Sequence, residues 1–376
     1  MKVLVTGHNG YIGSVMTRMV AAAGHEVVGL DTYFFEDCTF GPPVPDIPAL
    51  RLDMRDVAPE HLRGVDAVIH LAALCNDPLG DLEPATTYEI NHAASVHLAR
   101  VAKTVGVPRF LFASSCSLYG VAGDGMLDEQ AAFNPITPYG ESKVLVERDV
   151  AQLADGHFSP TFLRNATAYG VSPRLRLDVV INNLVAVAHT TGEIVIQSDG
   201  TPWRPLVHVE DFCSAFIAVL EAPRELVHNE AFNVGRTTEN YQVRDLAELV
   251  RRALPGSRVT YATGGGPDPR SYRVDCSKIA HRLPDFQPRW TVQDGVASLC
   301  EAFRACGLSR DDFSGARYFR VRHIQTLQQA GRVDARLRWR ARQADLPQAA
   351  STGQGERETR AESRPLLRGL GMRPPD

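Results

Sequence analysis

Met1-Lys2-Val3-Leu4-Val5-Thr6-Gly7-His8-Asn9-Gly10-Tyr11-Ile12-Gly13 opens the chain as an apolar run that turns through three glycines. Lys2 to Thr6 is short and rich in Val, as a buried strand should be, and Tyr11 to Ala23 has helical period until Gly24 stops it. The spacing G-x-x-G-x-x-G therefore lies between a strand and a helix. Gly7 permits a tight turn, Gly10 lets backbone approach a pyrophosphate, and Gly13 brings helix close to strand. The helix N-terminus adds unpaired N–H groups for an anion. Glycine triplets also occur in ordinary turns, but the flanking elements favour a dinucleotide loop made of Gly7, Asn9, Gly10, Tyr11, Ile12 and Gly13. Asp31 closes the next strand, where a carboxylate can accept from the adenosine ribose hydroxyls and repel a 2′-phosphate, which favours NAD over NADP. Asp53, with Met54 beside it, follows a short strand on the same edge and suits the adenine amino group, although a solvated turn explains it almost as well.

Outward from this loop, strands at Glu26 to Leu30, Asp66 to His70, Arg109 to Ala113 and Thr161 to Leu163 alternate with helices near Pro84 to Thr104 and Tyr139 to Ala154. Such alternation is the mark of parallel βαβ units. The expected fold is α/β: a Rossmann-type doubly wound parallel sheet with a smaller α/β substrate-binding lobe. Residues 1–170 would mainly bind the dinucleotide, and 171–303 would mainly form the lobe, returning at intervals to the sheet. A helical extension is expected over 304–340, with a helix at Tyr318 to Gln329 whose Val321, Ile324 and Leu327 share a face. Residues 341–376 lack aromatics and should be disordered.

The 376 residues carry 40 Lys and Arg against 44 Asp and Glu, so there is no basic excess to suggest a nucleic-acid partner. Seven Cys are scattered without a C-x-x-C pair, which suggests neither a disulfide framework nor a metal site. No apolar stretch has the length of a membrane span or signal segment, and a cytoplasmic location is expected.

Tyr139-Gly140-Glu141-Ser142-Lys143 puts Tyr and Lys on one face of a helix starting just after Pro138. A phenol becomes a base near neutrality only beside a cation, which Lys143 can supply. Y-x-x-x-K alone is usually a surface pair. However, Phe112-Ala113-Ser114-Ser115-Cys116-Ser117-Leu118-Tyr119-Gly120 closes a buried strand and delivers hydroxyls to the carboxyl edge of the sheet, where ligands of such folds bind. Ser115 can hydrogen-bond a reacting alcohol, whereas Ser114 and Ser117 can also be explained as satisfying their own turn.

Taken in order, Gly7-x-x-Gly10-x-x-Gly13, Asp31, His70-Leu71-Ala72-Ala73, Asn91, Ser115 before Tyr119-Gly120, and Tyr139-x-x-x-Lys143 resemble the extended short-chain dehydrogenases. The nearest resemblance is to UDP-glucose 4-epimerase-like nucleotide-sugar epimerases and dehydratases, over about Met1 to Phe303. It implies NAD as cofactor, a nucleotide-diphosphate sugar as substrate and a homodimer. It also implies that Leu71, Ala72 and Ala73 line the cofactor, that Lys143 and Tyr139 contact it, and that Ser117, Asn183, Arg204 and Arg270 hold the substrate. Guanidinium groups suit a diphosphate. Two positions depart from the pattern: Thr167 stands where the family commonly has Asn, and Cys75 where the epimerases often have Lys.

The resemblance leaves several reactions open. A 4,6-dehydratase needs an Asp-Glu pair after its Ser or Thr, and here Cys116 and Ser117 stand there; decarboxylases commonly carry Glu at the position of Ser117. Epimerisation through a transient keto-sugar needs no further side chain and is the favoured reading. The alternatives are a net dehydrogenase or ketoreductase, a 4,6-dehydratase, and a non-catalytic dinucleotide-binding protein. If Asp31 has the role given to it, paired titrations should show tighter binding of NAD than of NADP; the reverse order would remove that role.

Overall fold

Strand β1 (Lys2–Thr6) lies in the interior of the main sheet because it is apolar on both faces. Val3 and Val5 point into one core and Leu4 into the other, and all three are fully buried. Alternation along a strand makes this possible, and helices on both sides make it favourable. In the computed structural model, which describes residues 1–44, 46–75, 83–262 and 270–340, Met1–Trp339 forms one compact unit. The segment 341–376, for which disorder was expected, lies outside the described residues.

The sheet has seven strands in the order β11-β7-β5-β4-β1-β2-β3. They are β2 (Glu26–Asp31), β3 (Ala49–Arg51), β4 (Ala67–His70), β5 (Arg109–Ser115), β7 (Ser159–Asn165) and β11 (Glu230–Val234) with β1, and every pairing is parallel. This is the expected Rossmann-type doubly wound sheet. Strand order reverses at β1, so β2 and β4 leave it in opposite directions and a crevice opens beyond their carboxyl ends. Helices Gly13–Ala22 and Val209–Glu221 cover one face; Ala94–Thr104 and Pro138–Ala151 cover the other.

Smaller elements build a second core around Leu184, Ile194, Leu246 and Leu299. Here β8 (Thr167–Tyr169) pairs with β10 (Trp203–His208), which also pairs with β12 (Asn240–Gln242), and β9 (Glu193–Ile196) pairs with β13 (Arg258–Tyr261). A further pair joins β6 (Val121–Leu127) to β14 (Ser271–Val274).

Two of the differences from the sequence expectation bear on how distant segments meet. The helix expected over Pro84 to Thr104 is interrupted by a π-helical stretch, Tyr88–Ala93. Its wider turn brings Asn91 inward, where Oδ1 accepts from Leu74 N at 2.7 Å and Nδ2 donates to Leu74 O at 3.0 Å, pinning the loop after β4. The C-terminal helix begins at Arg320 instead of Tyr318, with Phe319 extended before it and Gly331 (φ 66°) after it. Ile324 and Leu327 pack into the core that holds Leu4, Leu30 and Phe34.

One buried ion pair joins these layers. Arg164 on β7 donates to Glu147 on Pro138–Ala151 through Nε at 3.1 Å and Nη2 at 2.7 Å, and both residues are buried. Removing one partner of such a pair leaves the other charge unsatisfied. Arg164→Met is therefore expected to cost about 3–5 kcal/mol in urea unfolding, and adding Glu147→Leu should recover most of it. An unchanged midpoint in the single variant would show that the pair contributes nothing.

Candidate active site

The carboxyl ends of β1, β2, β4, β5 and β8 open onto a cavity of about 830 Å³. At one side lies the glycine loop. Gly7 has φ 72°, and a Cβ there would stand 2.9 Å from Ala72 N; a Cβ on Gly13 would stand 2.0 Å from Gly7 O. Both contacts forbid any side chain, so the loop and the backbone of Leu71 to Ala73 lie against each other. Gly10, Tyr11 and Ile12 complete this wall. The Tyr11 side chain is occupied in the fold, its hydroxyl donating to Gly170 O at 2.8 Å. Asn9 does not line this cavity: its N–H donates to Asp31 Oδ2 at 3.0 Å and its Oδ1 accepts from Arg174 Nε at 3.0 Å, beside a smaller cavity.

Asp31 ends β2 at the cavity wall and also accepts from Tyr33 N at 2.7 Å. Burial pushes its carboxyl above the usual carboxylate range, against the pull of these N–H donors and of neighbouring His8. Asp53 and Met54 line the same end. The Asp53 carboxylate is shared with the fold: Oδ1 accepts from Arg55 N at 2.9 Å and Oδ2 pairs with Arg55 Nη2 at 2.6 Å.

At the opposite wall, Thr137 Oγ1 accepts from Gly140 N at 3.2 Å and Pro138 occupies the first helical turn, so the helix starts at Pro138 and presents Tyr139 and Lys143 to the cavity. Lys143 is buried; its Nζ donates to Ala113 O at 2.7 Å and sits 5.6 Å from the Tyr139 ring centroid. Burial lowers its pKa from 10.5 to about 8. At a pKa of about 8 the group still carries its charge near neutral pH, beside the Tyr139 ring. Ser115 ends β5, with Oγ accepting from Ser117 N at 3.1 Å, and both serines line the cavity. His70, between Thr6 Oγ1 at 2.7 Å and Ser95 Oγ at 2.8 Å, is kept neutral by burial and by Lys143, with its pKa lowered to about 3.

Asn183, Arg204 and Arg270 also line the cavity. Asn183 Nδ2 donates to Leu177 O at 2.8 Å, and Arg204 Nη1 donates to Trp203 O at 2.9 Å and to Arg270 O. Thr167 lines the cavity from β8, and Cys75 Sγ accepts from Arg176 Nη1 at 3.1 Å. Asp268 and Pro269, which precede Arg270, lie outside the described residues. Sequence reasoning missed Asn165, Arg176, Asp178 and Arg320, all at the cavity wall. Arg176 and Asp178 follow Tyr169-Gly170 at a strand end, a signal that could have found them; Arg320 has none, because it lies far along the chain.

A glycine loop entering a helix N-terminus, facing a Ser, Tyr and Lys set across one cavity, defines a dinucleotide-dependent enzyme of the extended short-chain dehydrogenase class. The NAD dependent epimerase/dehydratase family matches residues 3–235, and the chain belongs to it. It is 28% identical over 315 residues to the UDP-glucose 4-epimerase of Lactobacillus helveticus, covering 79% of this chain and 94% of that one. With UDP-glucuronic acid decarboxylase 1 of Arabidopsis thaliana it shares 26% over 325 residues, 84% of this chain and 72% of that one. Among solved structures, MoeE5 in complex with UDP-glucuronic acid and NAD superposes with a TM-score of 0.71 at 28% identity, covering 81% of this chain and 99% of MoeE5. No described helix is long and apolar enough to cross a membrane.

Lys143 yields a test that needs no substrate. With a folded pKa of about 8 against 10.5 when exposed, the folded chain binds fewer protons than the unfolded chain between those values, so this group adds stability as pH rises across the window. Lys143→Met removes the buried charge. The variant should lose turnover, yet melt above the wild type at pH 7, and the gap should close between pH 8 and 10.5. A gap independent of pH would show that Lys143 is not the titrating group.

Proposed function

We propose that this protein is an NAD-dependent epimerase of a nucleotide-diphosphate sugar. The observation that carries the reading is the distribution of carboxylates. Among the described residues lining the cavity, the only ones are Asp31 and Asp53 at the proposed adenosine end and Asp178, which is paired with Arg176 at 2.9 Å. Cys116, where a dehydratase needs its acid, is buried away from the cavity with Sγ donating to Arg164 O at 3.2 Å, and burial pushes its thiol pKa well up. Ser117, the position of the decarboxylase Glu, is an alcohol. Among the described residues, Ser115, Tyr139 and Lys143 therefore have no acid and base partners for dehydration or decarboxylation, whereas epimerisation asks for none.

The wall formed by Gly7, Gly10 and Gly13, which any Cβ would fill, fits a dinucleotide diphosphate, Asp31 fits the adenosine ribose, and Lys143 fits the nicotinamide ribose. NAD, when bound, supplies a hydride acceptor that later returns the hydride. Tyr139 takes the proton of the sugar hydroxyl and gives it back, Lys143 holds the phenolate, and Ser115 donates a hydrogen bond to the oxygen as it becomes a carbonyl. Arg204 and Arg270 bind the substrate diphosphate, and Asn183 and Ser117 orient it. Held by the diphosphate, the keto-sugar can turn over within the cavity and present its other face, and inversion follows.

Tyr139→Phe should abolish turnover while NAD still binds, and Ser115→Ala should lose about 10- to 1,000-fold. With UDP-, GDP- and dTDP-sugars followed by NMR, a substrate deuterated at the reacting carbon should keep its label in the inverted product, without stoichiometric NADH. Steady NADH release would instead make the protein a dehydrogenase, and loss of water or carbon dioxide would remove the epimerase reading.

A further inference from the structure

Arg320 comes from the C-terminal extension, outside the matched family region, and lines the cavity that Gly10, Tyr11 and Ile12 also line. It is 1% exposed. Its backbone N–H donates to Asp178 Oδ2 at 3.2 Å, its Nη2 donates to Arg174 O at 2.8 Å, and its guanidinium lies 4.2 Å from the Phe35 ring centroid. Nη1 is buried without a hydrogen-bond partner among the described residues. Arg176, whose charge acts with that of Arg320 on the Tyr11 hydroxyl, already occupies Asp178 through its side chain. Two buried guanidinium groups thus share one carboxylate. An uncompensated buried cation is costly, so this corner is built for an anion. The same cavity is lined by Gly7 and by Gly10 to Gly13, where helix Gly13–Ala22 begins, and a helix N-terminus suits a phosphate.

The segment that carries Arg320 also holds the loop after Asp31. Trp339 Nε1 donates to Thr32 O at 2.6 Å, His323 Nε2 contacts Phe34 O at 2.9 Å, and Arg317 Nη2 donates to Thr39 O at 2.6 Å. At the other edge Arg338 pairs with Asp53 at 3.5 Å, and Arg55 Nη1 donates to Arg336 O at 2.8 Å.

We propose that Arg317–Trp339 is a clamp on the dinucleotide: Arg320 donates charge-assisted hydrogen bonds to the cofactor diphosphate, and its neighbours tie down the loop that follows Asp31. The cofactor is thereby retained from one turnover to the next, as an enzyme that regenerates its own NAD requires. The clamp rests on the NAD-binding reading above. It also makes the C-terminal segment part of the cofactor site instead of a passive appendage.

The test is calorimetric titration of wild type and Arg320→Met with NAD, ADP-ribose, adenosine and UDP. NAD and ADP-ribose should each weaken on the order of 10- to 100-fold in the variant, the range for one charge-assisted hydrogen bond, while adenosine and UDP are unchanged. Arg320→Lys, which keeps the charge but loses the fork, should fall between. On the wild type alone, hydrogen exchange in 317–339 and 32–40 should slow with NAD or ADP-ribose and not with UDP, a readout independent of whether the variants fold. Weakened UDP binding with NAD intact would assign Arg320 to the substrate diphosphate and overturn the clamp. Unchanged binding of every probe, or exchange indifferent to NAD, would overturn it as well. A wild-type chain that binds no NAD would overturn the cofactor reading itself and the clamp with it.

Discussion

The bidentate pair between Arg164 and Glu147 sets the geometry on which the site depends. Glu147 also accepts from Ser114 Oγ at 2.5 Å, next to Ser115, and lies one helical turn beyond Lys143. Arg164 reaches on to the Tyr119 hydroxyl at 3.2 Å and to Glu129 O at 2.9 Å. One buried carboxylate therefore fixes the catalytic helix against the ends of β5 and β7 at once. Because both charges are out of water, neither can leave the other without a large penalty, and the helix is held in one rotation about its axis. The position of Tyr139 relative to Ser115 follows from that rotation.

The cavity wall carries both signs of charge. Lys143, buried beside Tyr139, has its pKa lowered to about 8 by that burial. Arginines, which keep their charge, also line the cavity: Arg176, Arg204, Arg270 and Arg320. Among the described residues the carboxylates of the cavity wall are Asp31, Asp53 and Asp178, and Asp53 and Asp178 are each paired with an arginine.

Much of this was legible in the chain. The glycine spacing between strand and helix, Asp31 at a strand end, and Tyr139 four residues before Lys143 are local patterns, and local patterns survive in sequence because helix and strand periodicity maps them onto faces. The parallel sheet was legible for the same reason, since apolar strands alternate with helices of the right length. Element ends were less so. The π-helical turn at Tyr88–Ala93 depends on Asn91 finding Leu74 across a loop, a contact that no window of neighbouring residues contains.

Sequence alone determined the glycine turn between strand and helix, the doubly wound sheet and the shared helix face of Tyr139 and Lys143, because each is written in local spacing. Only the tertiary structure decided that Asn9 turns away from the main cavity toward Arg174, that Cys116 is sealed in the core, and that Arg320 enters the cavity wall from far along the chain. Those outcomes depend on which distant surfaces pack together and on where burial leaves a charge or a donor without a partner. The physical reason is that periodicity acts within a segment, whereas desolvation and pairing act between segments.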